Sequence, residues 1–310
     1  MSSETALDHT PNAAPAVPDE PHKCSCDNPQ VPHEQFVYAM GRIDVRFPSM
    51  GIEREFQQRE MRLGEAKESL SRGERMARVL EANHHLASRL CYILSMSGIP
   101  AYIVAPSGFS LRADLLRALS SSARSNQWCV LIGRRGPMST PSTCGGVLAP
   151  IVGCDQLYCF SLEEWLKSLE SSVTPALKAR KIQATAFQHV SRELFERFTG
   201  STENLGATDA HRALNYLLVQ HPGLFLAAAE RSGRHTLDRI ETREIQGMGA
   251  RKLIAVILTF LDLTTGVPER LYCRVDTTEE WPFIADSVDG SRSPLGLLPF
   301  IENGMWGMVF

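Results

Sequence analysis

The 310-residue chain lacks any apolar run long enough to span a membrane. Its longest, such as Leu253 to Leu258 and Leu224 to Ala229, fall far short of the roughly 20 residues a spanning helix needs. Met1 to Asp27 has neither an apolar core nor a basic start, so it does not read as a secretory signal, and a cytoplasmic protein is the expectation. With a formal charge of -3 and a pI near 6.3 there is no basis for the concentrated basic surface that nucleic acid requires. A phosphate loop, a dinucleotide fingerprint, a His-Glu-x-x-His zinc helix and internal repeats are all missing. Disulfides are not expected either. The eight cysteines are even in number, but they are scattered through a chain with ample core and no export signal, which favours reduced thiols. Several, such as Cys91 and Cys129, sit in apolar surroundings where a thiol behaves as a small buried hydrophobe.

What is present is a body able to fold. At 43% hydrophobic and 22% charged, the chain can build one large domain or two modest ones. Residues 1–34 are rich in Pro, Ala, Ser, Asp and Glu without periodicity and read as a disordered tail. From Val37 to Phe47 apolar residues alternate with Tyr38, Met40, Arg42, Asp44 and Arg46, the period of a half-buried strand. Pro48 ends it, and Ser49 can cap a following helix. Helical spacing then predicts a helix from Leu70 to Met96, stopped by Gly98 and Pro100, before a strand over Ala101 to Ala105 and a helix over about Arg112 to Ser121. Trp128 to Gly133 and Val147 to Val152 read as short buried strands.

The middle is largely helical, with candidates at Leu162 to Ser171, Lys178 to Phe198, Asp209 to Val219 and Pro222 to Arg231. Leu253 to Phe260, a Thr264-Thr265-Gly266 turn and the alternation at Leu271, Cys273 and Val275 predict an antiparallel hairpin. Strands at both ends around a helical middle give an α+β fold with a mixed or antiparallel sheet, in which the region from 101 to 160 can hold a parallel crossover. One composite domain over residues 35–290 with an extension over 291–310 is expected; a split near Val173-Thr174-Pro175 is the alternative.

The opening block Phe36 to Phe56 resembles the start of the C-terminal domain of unknown function in the cyanobactin maturation protease PatG family. Further blocks continue the resemblance: Arg89 to Leu94, Ile132 to Pro137, Cys144, Pro150 to Val152 with Asp155 to Tyr158, Gly206 to Leu217 and Arg274 to Phe283. In that family the domain usually lies behind a subtilisin-like protease or macrocyclase. No Gly-Thr-Ser-Met-type nucleophile segment occurs here, so peptide-bond chemistry is not carried over. The resemblance implies an accessory role in maturing ribosomally made peptides, with a precursor peptide or a modifying enzyme as partner. It also implies a homodimer and an association with zinc.

Candidate site residues follow from chemistry. Arg42 and Arg46, two turns of a pleat apart on one strand face, can receive a carboxylate or peptide carbonyls. Arg134 and Arg135 follow a strand and can meet an acidic peptide or a phosphate. Asp209, His211, Arg212 and Asn215 form the densest polar cluster at a helix start, able to hold neighbouring loops or a ligand. Cys24 and Cys26, with Cys144 from a Gly-containing loop, are the metal candidates, since thiolates can share a tetrahedral zinc; a solvated pair at Cys24 and Cys26 is the plain alternative. Cys144 can also be weighed as a nucleophile with His211 or His84 as base, giving a zinc- or thiol-dependent enzyme as the second functional expectation.

Overall fold

The computed structural model describes residues 35–64, 66–121, 126–200, 204–245, 249–285 and 297–300. The expected tail, with Cys24 and Cys26, and most of the C-terminal extension lie outside these residues.

The first strand, β1 (Phe36–Arg46), departs from simple alternation because both of its faces are covered. Val37, Ala39, Ile43 and Val45 enter one core with α1 (Met50–Met61), α3 (Arg72–Ala82) and α5 (Phe109–Ser121), the single turn α2 (Ala66–Ser69) lying between α1 and α3. Tyr38 and Met40 enter a second core on the opposite face. The helices of the first core are set by their caps. Ser49 Oγ accepts from the Ile52 amide at 3.4 Å, and Ser71 and Glu74 close a reciprocal capping box on α3.

β1 joins β2 (Cys91–Met96), β3 (Ile99–Pro106), β5 (Pro150–Ser161) and β4 (Gln127–Met138) in a closed barrel of order β1-β2-β3-β5-β4. All pairs are antiparallel except β3 with β5, the parallel crossover, which runs through α5 and β4. The second core is filled by α6 (Leu162–Arg180), α7 (Ala184–Thr199), α8 (Asp209–Gln220) and α9 (Pro222–Arg231). On these helices lies an antiparallel sheet of order β10-β8-β7-β6, with β9 on β8. Its members are β6 (His235–Ile245), β7 (Leu253–Asp262), β8 (Pro268–Asp276), β9 (Phe283–Ile284) and β10 (Leu298–Pro299). Ile254, Val256, Leu258 and Phe260 of β7 face the helices. The fold is α+β, with the helical middle and the β7–β8 hairpin where the sequence places them.

Three segments differ from expectation. The predicted helix over Leu70–Met96 stops at Asn83; a single turn, α4 (His84–Ala87), follows, and Cys91–Met96 is β2. Its apolar spacing suits either element, and pairing of Ile43 with Leu94 and of Val45 with Tyr92 decides for the strand. β6 was hidden by charge: Leu237 and Ile240 lean on the core and Ile245 is buried at its end against Leu253, while Asp238, Arg239, Glu241 and Arg243 populate an edge. Pro175 marks no boundary, because α6 runs through it to Arg180 and ends on a left-handed Lys181.

α9 begins at His221, whose Nδ1 accepts from the Gly223 amide at 3.3 Å, with Pro222 in the first turn. Burial keeps the imidazole neutral and pulls its pKa from 6.5 down to about 4. Between those values the unfolded chain binds a proton that the folded chain refuses. Stability is therefore full above the unfolded value and is lost as pH falls toward the folded one. At about 1.4 kcal/mol per pH unit the loss reaches about 3 kcal/mol. His221→Asn keeps a capping acceptor and is expected to flatten this acid limb. Urea melts at about pH 7 and about pH 5 read it; an unchanged difference between the two would rule His221 out as its source.

Candidate functional site

Past Gly41, β1 loses one neighbour. Residues Phe36–Gly41 pair with β4, and Arg42–Arg46 pair with β2 alone. Among the described residues, one backbone edge of Arg42–Arg46 therefore has no strand beside it. The sequence partly blunts that edge itself, since Asp44 Oδ1 accepts from the Val45 amide at 2.8 Å. Arg42, Asp44 and Arg46 point outward and are exposed, while Ile43 and Val45 are buried.

Around this edge lies a groove of about 600 Å³. Ser97 and Gly98, at the β2–β3 turn, form one wall, and Glu196, Thr199 and Gly200 at the end of α7 form the other. Trp128 contributes an indole that packs edge-on against Phe195 at 5.4 Å and lies under the Arg42 guanidinium at 5.8 Å. Arg46 stands 3.9 Å from Asp44. The groove thus offers a strand edge with no described strand beside it, guanidinium groups and an aromatic face, the combination that receives an extended peptide segment carrying carboxylates.

The other predicted residues are elsewhere and hold the protein together. Thr208 caps α8, its hydroxyl accepting from the amide of His211, which is half-buried. Arg212 is 2% exposed. Its guanidinium donates to Asp209 and to the Thr277 carbonyl, each at 2.9 Å, and to the carbonyls of Glu279 and Glu280, and it lies over the Phe36 ring. Asn215 donates to the Tyr38 carbonyl at 2.8 Å and accepts from Asn204. Asp209 also meets Lys252 at 3.6 Å. Of the two alternatives for this cluster, loop holding is the one the geometry takes. Arg135 reaches Gln35, and Arg134 lies 3.8 Å from Glu280. Burial first, and then the neighbouring Asp155 carboxyl, push Glu280 above the usual carboxylate range.

Cysteine chemistry differs from expectation. Cys144 is bonded to Cys91, and Cys129 to its cross-strand neighbour Cys159. Reduced thiols were expected because the cysteines are scattered through a chain with ample core and no export signal, and separations of 53 and 30 residues do not show that these sulfurs meet. A disulfide sulfur is neither a thiolate ligand nor a nucleophile, so Cys144 in this form fits neither the zinc site nor the thiol enzyme. Among the described residues no group of three or more His, Cys, Asp or Glu is placed to hold a metal ion. The other described thiols, Cys154 and Cys273, are buried, and burial pushes each up to about 12, which keeps them protonated and inert.

Of the predicted residues, then, the structure brings Arg42 and Arg46 into one groove and Asp209, Arg212 and Asn215 into one joint. Trp128 and Glu196 were missed as groove residues. Trp128 at the start of a strand was the available signal; Glu196 had none.

A closed five-stranded barrel sharing one core with four helices and an outer antiparallel sheet defines the class: an α+β domain with a groove of about 600 Å³ beside β1. The sequence profile of the PatG domain matches residues 36–247, more than half of the chain. The chain belongs to the PatG domain family, and every residue of the groove lies within the matched span. A solved structure described as a "PatG Domain of Unknown Function" shares the fold, with a TM-score of 0.61 and 20% identity over 82% of this chain and 97% of that one. No curated protein matches the chain.

Proposed function

We propose that this protein is an accessory, non-catalytic binding module in the maturation of ribosomally made, post-translationally modified peptides of the cyanobactin kind. It holds a precursor peptide or a modifying enzyme in the groove beside β1. The observation that carries the reading is the edge of Arg42–Arg46, beside which no described strand lies, framed by guanidinium groups and Trp128. An extended segment adds as a strand there, with its acidic side chains on Arg42 and Arg46 and an apolar one on Trp128. Family membership supports the pathway, and the inert buried thiols support a role without covalent chemistry.

Calorimetric titration with leader and core peptides encoded beside the gene tests it. An acidic segment is expected to bind, and Arg42→Ala and Arg46→Ala each to weaken it about tenfold, the worth of one charge-assisted hydrogen bond. Affinity is expected to fall with salt. Binding that survives the double variant, or no binding to any such peptide or enzyme, would sink the reading. Light scattering in the same titration reads the homodimer implied by the resemblance, a competing occupant of the same strand edge.

A second reading rests on the adjacency of Cys91 and Cys144, whose Cα atoms are 5.5 Å apart. If that pair is reduced, it presents two thiolates side by side, half of the four that a closed structural zinc site takes. Zinc and the disulfide exclude each other at these sulfurs. Metal analysis and intact mass of protein purified with and without reductant separate them. Zinc in the reduced protein that is lost on Cys91→Ser supports the metal site, whereas metal-free protein in both preparations leaves the disulfide as the linkage.

A further inference from the structure

The core on the other face of β1 carries a second concavity, between α3, α4 and α5, of about 400 Å³. That volume falls in the range of small-molecule sites, which are mostly apolar with a few placed polar groups. Buried Ala87 and Leu116 supply apolar surface, and Phe109, 69% exposed and edge-on to His84 at 5.9 Å, forms a lip. A phenyl ring this exposed at the mouth of an apolar pocket has surface to give to a ligand.

The charges around the pocket are not equivalent. Arg117 is tied to Asp114 one turn away. Arg112 has no ion pair among the described residues; the buried phenol of Tyr92, whose hydroxyl donates to the Ala87 carbonyl at 3.0 Å, feels its charge. Glu81 on the opposite helix repels a second carboxylate from its own side. An anionic head entering here is therefore directed to Arg112, with its apolar body over Ala87 and Leu116.

We infer that this pocket is a binding site for a small amphipathic carboxylate, an apolar chain with one anionic head seated on Arg112. It lies apart from the groove beside β1 and stands or falls independently of it.

Titration of the full chain with octanoate, octylamine and acetate tests the site. Octanoate is expected to bind saturably with one equivalent, octylamine at least about tenfold more weakly, and acetate not detectably, since each partner lacks one half of the ligand. Arg112→Ala is expected to weaken octanoate about tenfold and to erase its advantage over octylamine. Ala113→Trp, at an exposed position of α5, fills the pocket and is expected to abolish binding, with a thermal melt showing that the fold is kept. Equal affinity for octanoate and octylamine, binding untouched by either variant, or no octanoate binding would each overturn the assignment.

Discussion

Arg212→Met is expected to destabilise the protein by about 3 to 5 kcal/mol, at about 1 to 3 kcal/mol for each carbonyl left short of a donor. The ion pair itself contributes little of this. Asp209 is one-third exposed and stays hydrated when its partner goes. The larger part comes from the backbone. Arg212 donates to the carbonyls of Thr277, Glu279 and Glu280, which pair with no strand among the described residues, and methionine removes that donor, at most cost at the buried Thr277. Burial already strains against the charge, holding the Arg212 pKa below its ordinary value even with Asp209 beside it, so only the fork of hydrogen bonds justifies a guanidinium there. Lysine keeps the charge but not the fork. Arg212→Lys is therefore expected to recover only part of the loss. Urea denaturation of the three proteins gives the order wild type, lysine, methionine; a methionine variant within about 0.5 kcal/mol of wild type, the size of an ordinary surface change, would show that the carbonyls find other donors.

The joint around Arg212 shows how far sequence reading reaches. That Asp209, His211, Arg212 and Asn215 crowd the start of a helix is visible from local spacing. Their partners are not visible, because Thr277, Glu279 and Glu280 lie 65 to 68 residues away and Tyr38 lies 177 away. The same division runs through the fold. β1, the helical middle and the β7–β8 hairpin carry their own periodicity. β2 does not, since Cys91–Met96 satisfies either period and is settled by its pairing with β1. β6 reads as polar because an edge strand needs charge and buries little. In the groove, period-two alternation places Arg42 and Arg46 on one face, but only the early end of β4 leaves their backbone edge with no described strand beside it, and chain length alone gives no register.

Gly206→Ala is expected to cost about 2 to 4 kcal/mol, in two separable parts. The first is conformational. Gly206 has φ +73°, a left-handed backbone that costs an L-residue about 1 kcal/mol. The second is collision. A Cβ built there would sit 2.7 Å from the Tyr38 carbonyl carbon and 2.7 Å from Ala39 Cα, and closer still to the Tyr38 oxygen, all of it backbone that cannot rotate aside. That same oxygen accepts from Asn215, and the Tyr38 amide donates to the Gly206 carbonyl at 2.9 Å, so relieving the clash breaks the bonds that seat the loop before α8 on β1. Tyr102 fixes the loop from the other side by donating to the Leu205 carbonyl. Gly233→Ala is the matched control: φ is +85° and nothing lies within 4 Å of its Cβ, so only the conformational cost of about 1 kcal/mol remains. The difference between the two variants in a denaturant melt isolates the close approach. Equal losses would mean that the loop before α8 moves off β1 freely, and that the joint between barrel and helices is held by Arg212 without it.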